Sequence, residues 1–254
     1  MTAAPPPALV LVAHGSRDPR ALRTAHALLE GVRALRPGTD VRLGHIELQE
    51  PLLADTLAAL PPGRAVLVPL LLGRGHHVTH DLPRAAAAAP HLRTGVARPL
   101  GPHPLLVEVL HDRLVEAGWR TTARLRRNGG VVLAAAGSRD PRSAEDARRT
   151  ARQLSARLGG VPVLPAYASA AAPTVPDALR ALAARGRHRA AVAAYFTAPG
   201  RFATQCAAAA PWLAAAPLGA HPAMAELVLH RYDEALLPAP APRPTTPRPP
   251  VLTA

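Results

Sequence analysis

The feature that most constrains the fold of this chain is an internal repeat. The segment Ala13-His-Gly-Ser-Arg-Asp-Pro19 returns as Ala135-Ala-Gly-Ser-Arg-Asp-Pro141, an offset of 122 (13 to 135). A second marker, Leu100-Gly-Pro-His-Pro104, returns as Leu218-Gly-Ala-His-Pro222, an offset of 118 (100 to 218). Two unrelated markers with nearly equal offsets indicate that a whole domain is duplicated. We therefore expect two lobes with the same fold.

Each half alternates apolar strands with helices. Ala8–Ala13 is a continuous apolar run, typical of a strand buried on both faces. Asp18 followed by Pro19 predicts a helix cap with proline in the first turn. Strand–helix alternation implies an α/β fold, with parallel sheets, right-handed crossovers and helices on both faces of each sheet. The other elements predicted in the first half are strands at Val41–Glu47, Ala65–Leu72 and Thr94–Pro99, and helices at Pro51–Leu60, near Asp81–Pro83 and at His103–Ala117.

The repeat also sets the expected domain limits. We predict a first lobe over residues 1–118, a linker over 119–130 and a second lobe over 131–237. Residues 238–254 are rich in proline and are predicted to form a disordered tail.

Composition excludes several classes of protein. The hydrophobic fraction of 48% is ample for packed cores. The net charge of +13 attracts anions, but the arginines are scattered and aromatic residues make up only 3%. We therefore expect no nucleic-acid partner, because few side chains are available to stack on bases. A single cysteine, Cys206, excludes an internal disulfide framework and a cysteine-rich metal site.

The N-terminal apolar run does not predict a membrane segment. Ala8–Ala13 is too short for a signal peptide or a membrane helix, and no basic segment precedes it. We expect a cytoplasmic protein with no membrane partner.

Three polar residues of the first half fall where predicted strands end. His14 follows the first strand, Glu47 closes the second, and His77 lies in the loop after the third. Because ligands bind at the carboxyl edge of parallel sheets, we expect these side chains to converge there. Neutral imidazoles bind Co²⁺, Fe²⁺, Ni²⁺ and Zn²⁺, and two protein ligands leave positions open for transfer of the ion. A nearby carboxylate can act as a general base.

Structural roles are the alternatives. His14 could occupy a strand-to-helix turn, and Glu47 could pair with Arg42 or cap the helix that begins at Pro51. His103 and His221 recur with the repeat ahead of helices, and we interpret both as structural. A solvated polar loop would account for the trio His76, His77 and His80.

The second half provides an internal control for these alternatives. Aligned on the repeat, His14 becomes Ala136, Glu47 becomes Ser169, His77 becomes Phe202 and Asp81 becomes Cys206. If these side chains served packing, the second copy should have kept some of them. The pattern predicts one working site and one degenerate partner.

The motifs resemble those of a known family. Ala13–Pro19 after an apolar strand, Glu47-Leu-Gln-Glu-Pro51, and Pro69-Leu-Leu-Leu-Gly-Arg-Gly-His-His-Val-Thr-His-Asp-Leu-Pro83 are similar to the sirohydrochlorin chelatases of the CbiX/SirB type. The resemblance spans both halves and stops before the tail. It implies two class II chelatase-like, flavodoxin-like lobes around a central cleft. It also implies a monomer with pseudo-dimeric lobes, in which the second lobe forms one wall of the cleft.

The resemblance further implies insertion of Co²⁺ or Fe²⁺ into sirohydrochlorin, for cobalamin or siroheme biosynthesis, without ATP. The divalent metal is then a substrate, and no organic cofactor is implied. Matching positions assign His14 and His77 as metal ligands and Glu47 as the residue that helps to remove protons. Candidate substrate anchors or auxiliary residues are Arg17, Arg74, His76 and His80.

Three other functions would use parts of the same sequence pattern. A metal-binding or delivery protein without turnover would use the same histidines. A phosphohistidine phosphatase would need an arginine where Ala13 stands. A phosphate-binding module at Gly15-Ser16 lacks the accompanying glycine-rich loop. The choice between cobalt and iron stays open, because selectivity among first-row metals depends on geometry and supply.

Overall fold

The computed structural model describes residues 5–237, and it contains two parallel sheets with matching topology. The first sheet has the strand order β2-β1-β3-β4. Its lobe comprises β1 (Ala8–Ala13), α1 (Pro19–Leu35), β2 (Val41–His45), α2 (Leu53–Ala58), β3 (Gly63–Pro69), a π-helical turn (His77–Asp81), α3 (Leu82–Ala87), β4 (Leu92–Val96) and α4 (Pro104–Glu116).

The second sheet repeats this order as β6-β5-β7-β8. Its elements are α5 (Ala123–Asn128), β5 (Gly129–Ala135), α6 (Pro141–Arg157), β6 (Val163–Tyr167), α7 (Val175–Ala183), β7 (Arg189–Tyr195), α8 (Arg201–Ala208), β8 (Leu213–Ala214) and α9 (Pro222–Leu236). The predicted two-lobe α/β fold with flavodoxin-like sheets is confirmed. In each sheet the strand order reverses between its first and third strands, which is where such sheets bind ligands.

The helix starts follow from local sequence. Asp18 and Asp140 cap α1 and α6 by accepting hydrogen bonds from Arg20 N and Arg142 N. His103 and His221 cap α4 and α9 in the same way, through their Nδ1 atoms. Burial lowers the pKa of His103 to about 4, so the ring is neutral and its Nδ1 can accept the bond. The structural interpretation of both histidines is confirmed.

Several strand ends differ from the predicted ones. β2 ends at His45, two residues before Glu47, because the chain turns away through Leu48, whose φ is +68°. β3 ends at Pro69; the Leu70 amide still donates to the Val12 carbonyl of β1 at 2.8 Å, but Leu71 and Leu72 lie beyond the strand although they are apolar. Those leucines line a cleft instead of extending the strand. An apolar run alone does not show where strand pairing stops.

The segment predicted as a linker, 119–130, contains regular structure. Trp119 is fully buried, and α5 begins at a Thr122 cap. Gly130 belongs to β5, and a Cβ there would lie 2.8 Å from the Leu182 side chain. Gly130 therefore permits close packing of α7 on the sheet, whereas a Cβ at Gly129 would lie 2.5 Å from the Leu125 carbonyl oxygen of α5. The predicted tail at 238–254 lies outside the described residues.

The last helix of each lobe packs on the other lobe. Helix α9 lies against α1, β3 and β4, while α4 lies against α6 and β7. One apolar core consequently runs through both lobes, whereas separate smaller cores cover the outer face of each sheet. Of the helices between residues 5 and 237, none is long and apolar enough to span a bilayer.

We call this arrangement, in which α4 and α9 each pack on the other lobe, the helix exchange. Two arginines at equivalent positions of the repeat hold these helices in place. From α4, Arg113 donates to the Leu218 carbonyl at 3.2 and 2.9 Å. From α9, Arg231 donates to the Leu100 carbonyl at 2.9 Å. Both carbonyls belong to the second repeated marker. The second marker therefore joins the lobes, which explains its presence in both halves.

The exchange predicts that the first lobe does not fold alone as a monomer. A fragment of residues 1–118 lacks α9, so the inner face of its sheet would be exposed to water. We expect it to be unfolded or self-associated, as measured by circular dichroism and light scattering. Co-expression with residues 119–254 should restore a 1:1 complex. A monomeric 1–118 fragment with the melting temperature of the whole chain would contradict this.

Candidate functional site

His14 is positioned by a tight turn after β1. Gly15 has φ +102°, and a Cβ at this position would lie 1.8 Å from the Glu47 carbonyl oxygen. Glycine is thus required, since it lets the segment after β2 pass directly against the turn. The Glu47 amide donates to the His14 carbonyl at 3.1 Å, which fixes the two residues side by side.

His77 begins the π-helical turn that leads into α3, rather than lying in an open loop as predicted. Its ring lies 4.6 Å from the His14 ring, centroid to centroid, at 83°. π-helical turns are rare and often occur at functional sites. The predicted convergence of the two histidines at the carboxyl edge is therefore what the structure shows.

Each imidazole has a carboxylate beside its Nδ1 atom. Glu47 Oε1 lies 3.5 Å from Nδ1 of His14, and Asp81 Oδ2 lies 2.6 Å from Nδ1 of His77. A carboxylate at Nδ1 favours the tautomer with the proton there, which leaves Nε2 free as a ligand atom. Sequence reasoning missed this role of Asp81. Its signal was the i, i+4 spacing from His77 within one helical segment.

The auxiliary candidates occupy different places. His76 and His80 stack at 4.5 Å, and the His76 side chain is 72% exposed. Arg74 lines the cleft with its Nε 3.5 Å from Asp146 Oδ2, across the boundary between lobes. Arg17 is exposed, and it lies outside the set of described residues that line the cleft.

A cleft of about 430 Å³ lies between the lobes, and the histidine pair opens into it. Its volume is within the usual range of roughly 300–1,000 Å³ for small-molecule sites. A more open depression of about 640 Å³ lies between α4 and α6, but its lining contains no histidine. We assign the site to the cleft, because it lies at the carboxyl edge of both sheets.

The second lobe forms the opposite wall with the same backbone and different side chains. Gly137 has φ +93°, and the Ser169 amide donates to the Ala136 carbonyl at 3.0 Å, as in the first lobe. Ala136, Ser169 and Phe202 line this wall in place of the histidines and Glu47. Within residues 5–237, no group of three or more His, Cys, Asp or Glu side chains is arranged to hold a metal ion by itself.

Fold and site together define a class: a two-lobe parallel α/β protein with a pair of histidines, each beside a carboxylate, at the cleft between the lobes. The CbiX family model matches residues 8–117 and 130–235. The chain therefore belongs to the CbiX family, the sirohydrochlorin chelatases.

Individual relatives agree with this assignment. A sirohydrochlorin ferrochelatase from Bacillus subtilis is 31% identical over 173 residues, which cover 65% of this chain and 64% of that protein, slightly under two thirds of its length. The structure of SirB from Bacillus subtilis with Fe³⁺ superposes with a TM-score of 0.73 at 26% identity, over 90% of this chain and 94% of that one. SirB from Bacillus subtilis subspecies spizizenii in complex with cobalt gives a TM-score of 0.70 at 25% identity, with the same coverage of 90% and 94%.

The Asp81 contact predicts weaker metal binding when it is lost. We expect Asp81→Asn to lower the affinity for Co²⁺ by about 10–100-fold, because an amide holds the His77 ring less firmly. Isothermal titration under anaerobic conditions measures the change. The matched control is Asp55→Asn, an exposed carboxylate on α2. Equal affinities for both variants and the wild type would show that Asp81 does not orient the ligand.

Proposed function

We propose that this chain is a sirohydrochlorin chelatase that inserts Co²⁺ or Fe²⁺ into the tetrapyrrole, for cobalamin or siroheme biosynthesis. The observation that carries the proposal is the His14–His77 pair, whose rings lie 4.6 Å apart at the cleft between the lobes. The names of the matched relatives support the same reaction.

The metal would be held by Nε2 of His14 and Nε2 of His77. Both Nδ1 atoms face carboxylates, so the two Nε2 atoms are the available ligands. Two protein ligands leave the remaining positions of the ion to water, which pyrrole nitrogens can replace. Such an incomplete set suits a substrate metal that must leave the protein within the macrocycle.

Glu47 would accept a proton during insertion. Two pyrrole N–H bonds must break as a divalent ion enters, so the site needs proton acceptors. The Glu47 side chain is 51% exposed and lies 3.5 Å from His14, which lines the cleft. A carboxylate so placed can act as a general base.

The tetrapyrrole would be attracted as a polycarboxylate. The chain carries a net charge of +13, which favours anionic ligands. Arg74 is the arginine best placed as an anchor, because it lines the cleft beside the histidines. The exposed Arg17 lies outside the cleft and is the weaker candidate.

We expect both metals to be accepted. Imidazole nitrogen binds both Fe²⁺ and Co²⁺; its affinity is higher for Co²⁺, but selectivity in cells depends more on geometry and metal availability than on this difference. SirB structures are described with Fe³⁺ and with cobalt. Supply of the ion would then decide which product forms.

Anaerobic metallation tests the proposal. Purified protein is mixed with sirohydrochlorin and Co²⁺ or Fe²⁺, and the visible spectrum is followed against the metal-only rate. We expect acceleration by the wild type and loss of at least about 100-fold of it in a His14→Ala, His77→Ala double variant.

His26→Ala is the matched control, since it removes an exposed histidine from α1 and leaves the cleft unchanged. It should metallate at the wild-type rate. A wild-type protein that binds the metal but does not accelerate metallation with either ion would contradict the chelatase proposal. That outcome would favour a metal-delivery protein.

A further inference from the structure

A carboxylate that makes no hydrogen bond is buried in the second-lobe wall of the cleft. Asp146, on α6, is only 8% exposed and lines the cleft. Its Oδ2 atom makes no hydrogen bond, and the nearest cation is Arg74 Nε at 3.5 Å. Burial raises the pKa of Asp146, which shows that its charge is poorly solvated. A buried carboxylate without a hydrogen bond is destabilising, so its presence calls for a function.

This carboxylate has no counterpart in the first lobe. Helices α1 and α6 align at the repeat offset of 122 (24 to 146), which places Thr24 at the equivalent position. The Thr24 hydroxyl donates to the Arg20 carbonyl at 2.8 Å within its own helix. Each wall therefore has side chains that the other lacks: the first lobe has the two imidazoles, and the second has the buried carboxylate.

We propose that Asp146 accepts a pyrrole proton on the face of the macrocycle opposite the metal. This inference rests on the proposed chelatase function. The second lobe would then contribute a proton acceptor to the reaction in addition to forming one wall of the cleft.

The geometry of insertion favours an acceptor on that face. An ion held by His14 and His77 approaches the macrocycle from the first lobe. As pyrrole lone pairs bind the ion, its positive charge repels the remaining N–H proton toward the far side. The far side is the second-lobe wall, where Asp146 lies.

The proton balance is complete with two carboxylates. One pyrrole N–H bond breaks toward Glu47 as the ion begins to bind. The second breaks toward the ionised Asp146, whose carboxylate becomes a carboxylic acid, while both nitrogen electron pairs bind the metal. Each divalent ion thus replaces two protons, and both acids return their protons to water after the product leaves.

Arg74 would control access to this base. While it lies beside Asp146, it partly neutralises the carboxylate and covers it. A substrate carboxylate offers Arg74 a solvated partner in the cleft, so Arg74 can exchange Asp146 for the substrate. Asp146 would then be uncovered only when the tetrapyrrole is bound.

The test compares Asp146→Asn with Glu145→Gln, which neutralises the exposed neighbouring carboxylate on the same helix. We expect Asp146→Asn to lower kcat for metallation by about 100-fold with Co²⁺ affinity unchanged. KM for sirohydrochlorin should fall or stay the same, because Arg74 no longer has to leave a carboxylate to bind the substrate. The Tm of Asp146→Asn should rise by about 2–4 °C at neutral pH, because the variant no longer buries a carboxylate that makes no hydrogen bond, while Arg74, 46% exposed, stays solvated. Glu145→Gln should match the wild type in both measurements, and Asp146→Glu should recover part of kcat.

The outcomes separate this inference from the function on which it rests. Failure of the wild type to accelerate metallation contradicts the proposed function itself. A metallating wild type with an equally fast Asp146→Asn variant overturns only the role of Asp146. A variant that loses both kcat and several degrees of Tm shows that Asp146 is structural, as an ion-pair partner of Arg74, and also overturns the inference.

Discussion

The exchange of terminal helices is the constraint on which the rest of the structure depends. Neither sheet covers its inner face with its own last helix; α9 covers the first sheet and α4 packs on the second. Arg113 and Arg231 donate hydrogen bonds to the equivalent carbonyls of Leu218 and Leu100, each in the other lobe. One apolar core runs through both lobes. The lobes therefore cannot separate without exposing that core. Their carboxyl edges are held face to face, and the cleft is fixed between them.

This constraint explains what the two halves share and where they differ. The Gly-Ser-Arg-Asp-Pro turns cap helices and also meet the other lobe, since Ser138 donates to the Arg74 carbonyl at 3.4 Å and Ser16 approaches Gly200. Both halves need these contacts, so both retain the markers. Within residues 5–237, the side chains of His14 and His77 make no hydrogen bond to the other lobe. One wall can therefore hold His14 and His77 while the other holds Asp146.

Local chemistry made much of this predictable from the sequence. β1 and the caps at Asp18 and His103 depend on neighbouring residues, and the sequence predicts them closely. The convergence of His14 and His77 follows from a general property of parallel sheets. The exchanged helices and the burial of Asp146 were not predictable in this way, because they depend on packing between distant segments. Asp81 lies between these cases, since its spacing was visible but its hydrogen bond was not.

The proposed function requires one pair of imidazoles, in the first lobe only, to hold the metal for transfer to the tetrapyrrole. X-ray absorption spectroscopy of the protein with substoichiometric Co²⁺ tests it most directly, because imidazole nitrogens give a distinct scattering pattern. We expect two imidazole ligands at about 2.1 Å in the wild type and a single one after His14→Ala. Wild-type spectra without imidazole, or an unchanged pair of imidazoles in that variant, would show that His14 and His77 do not hold the metal together.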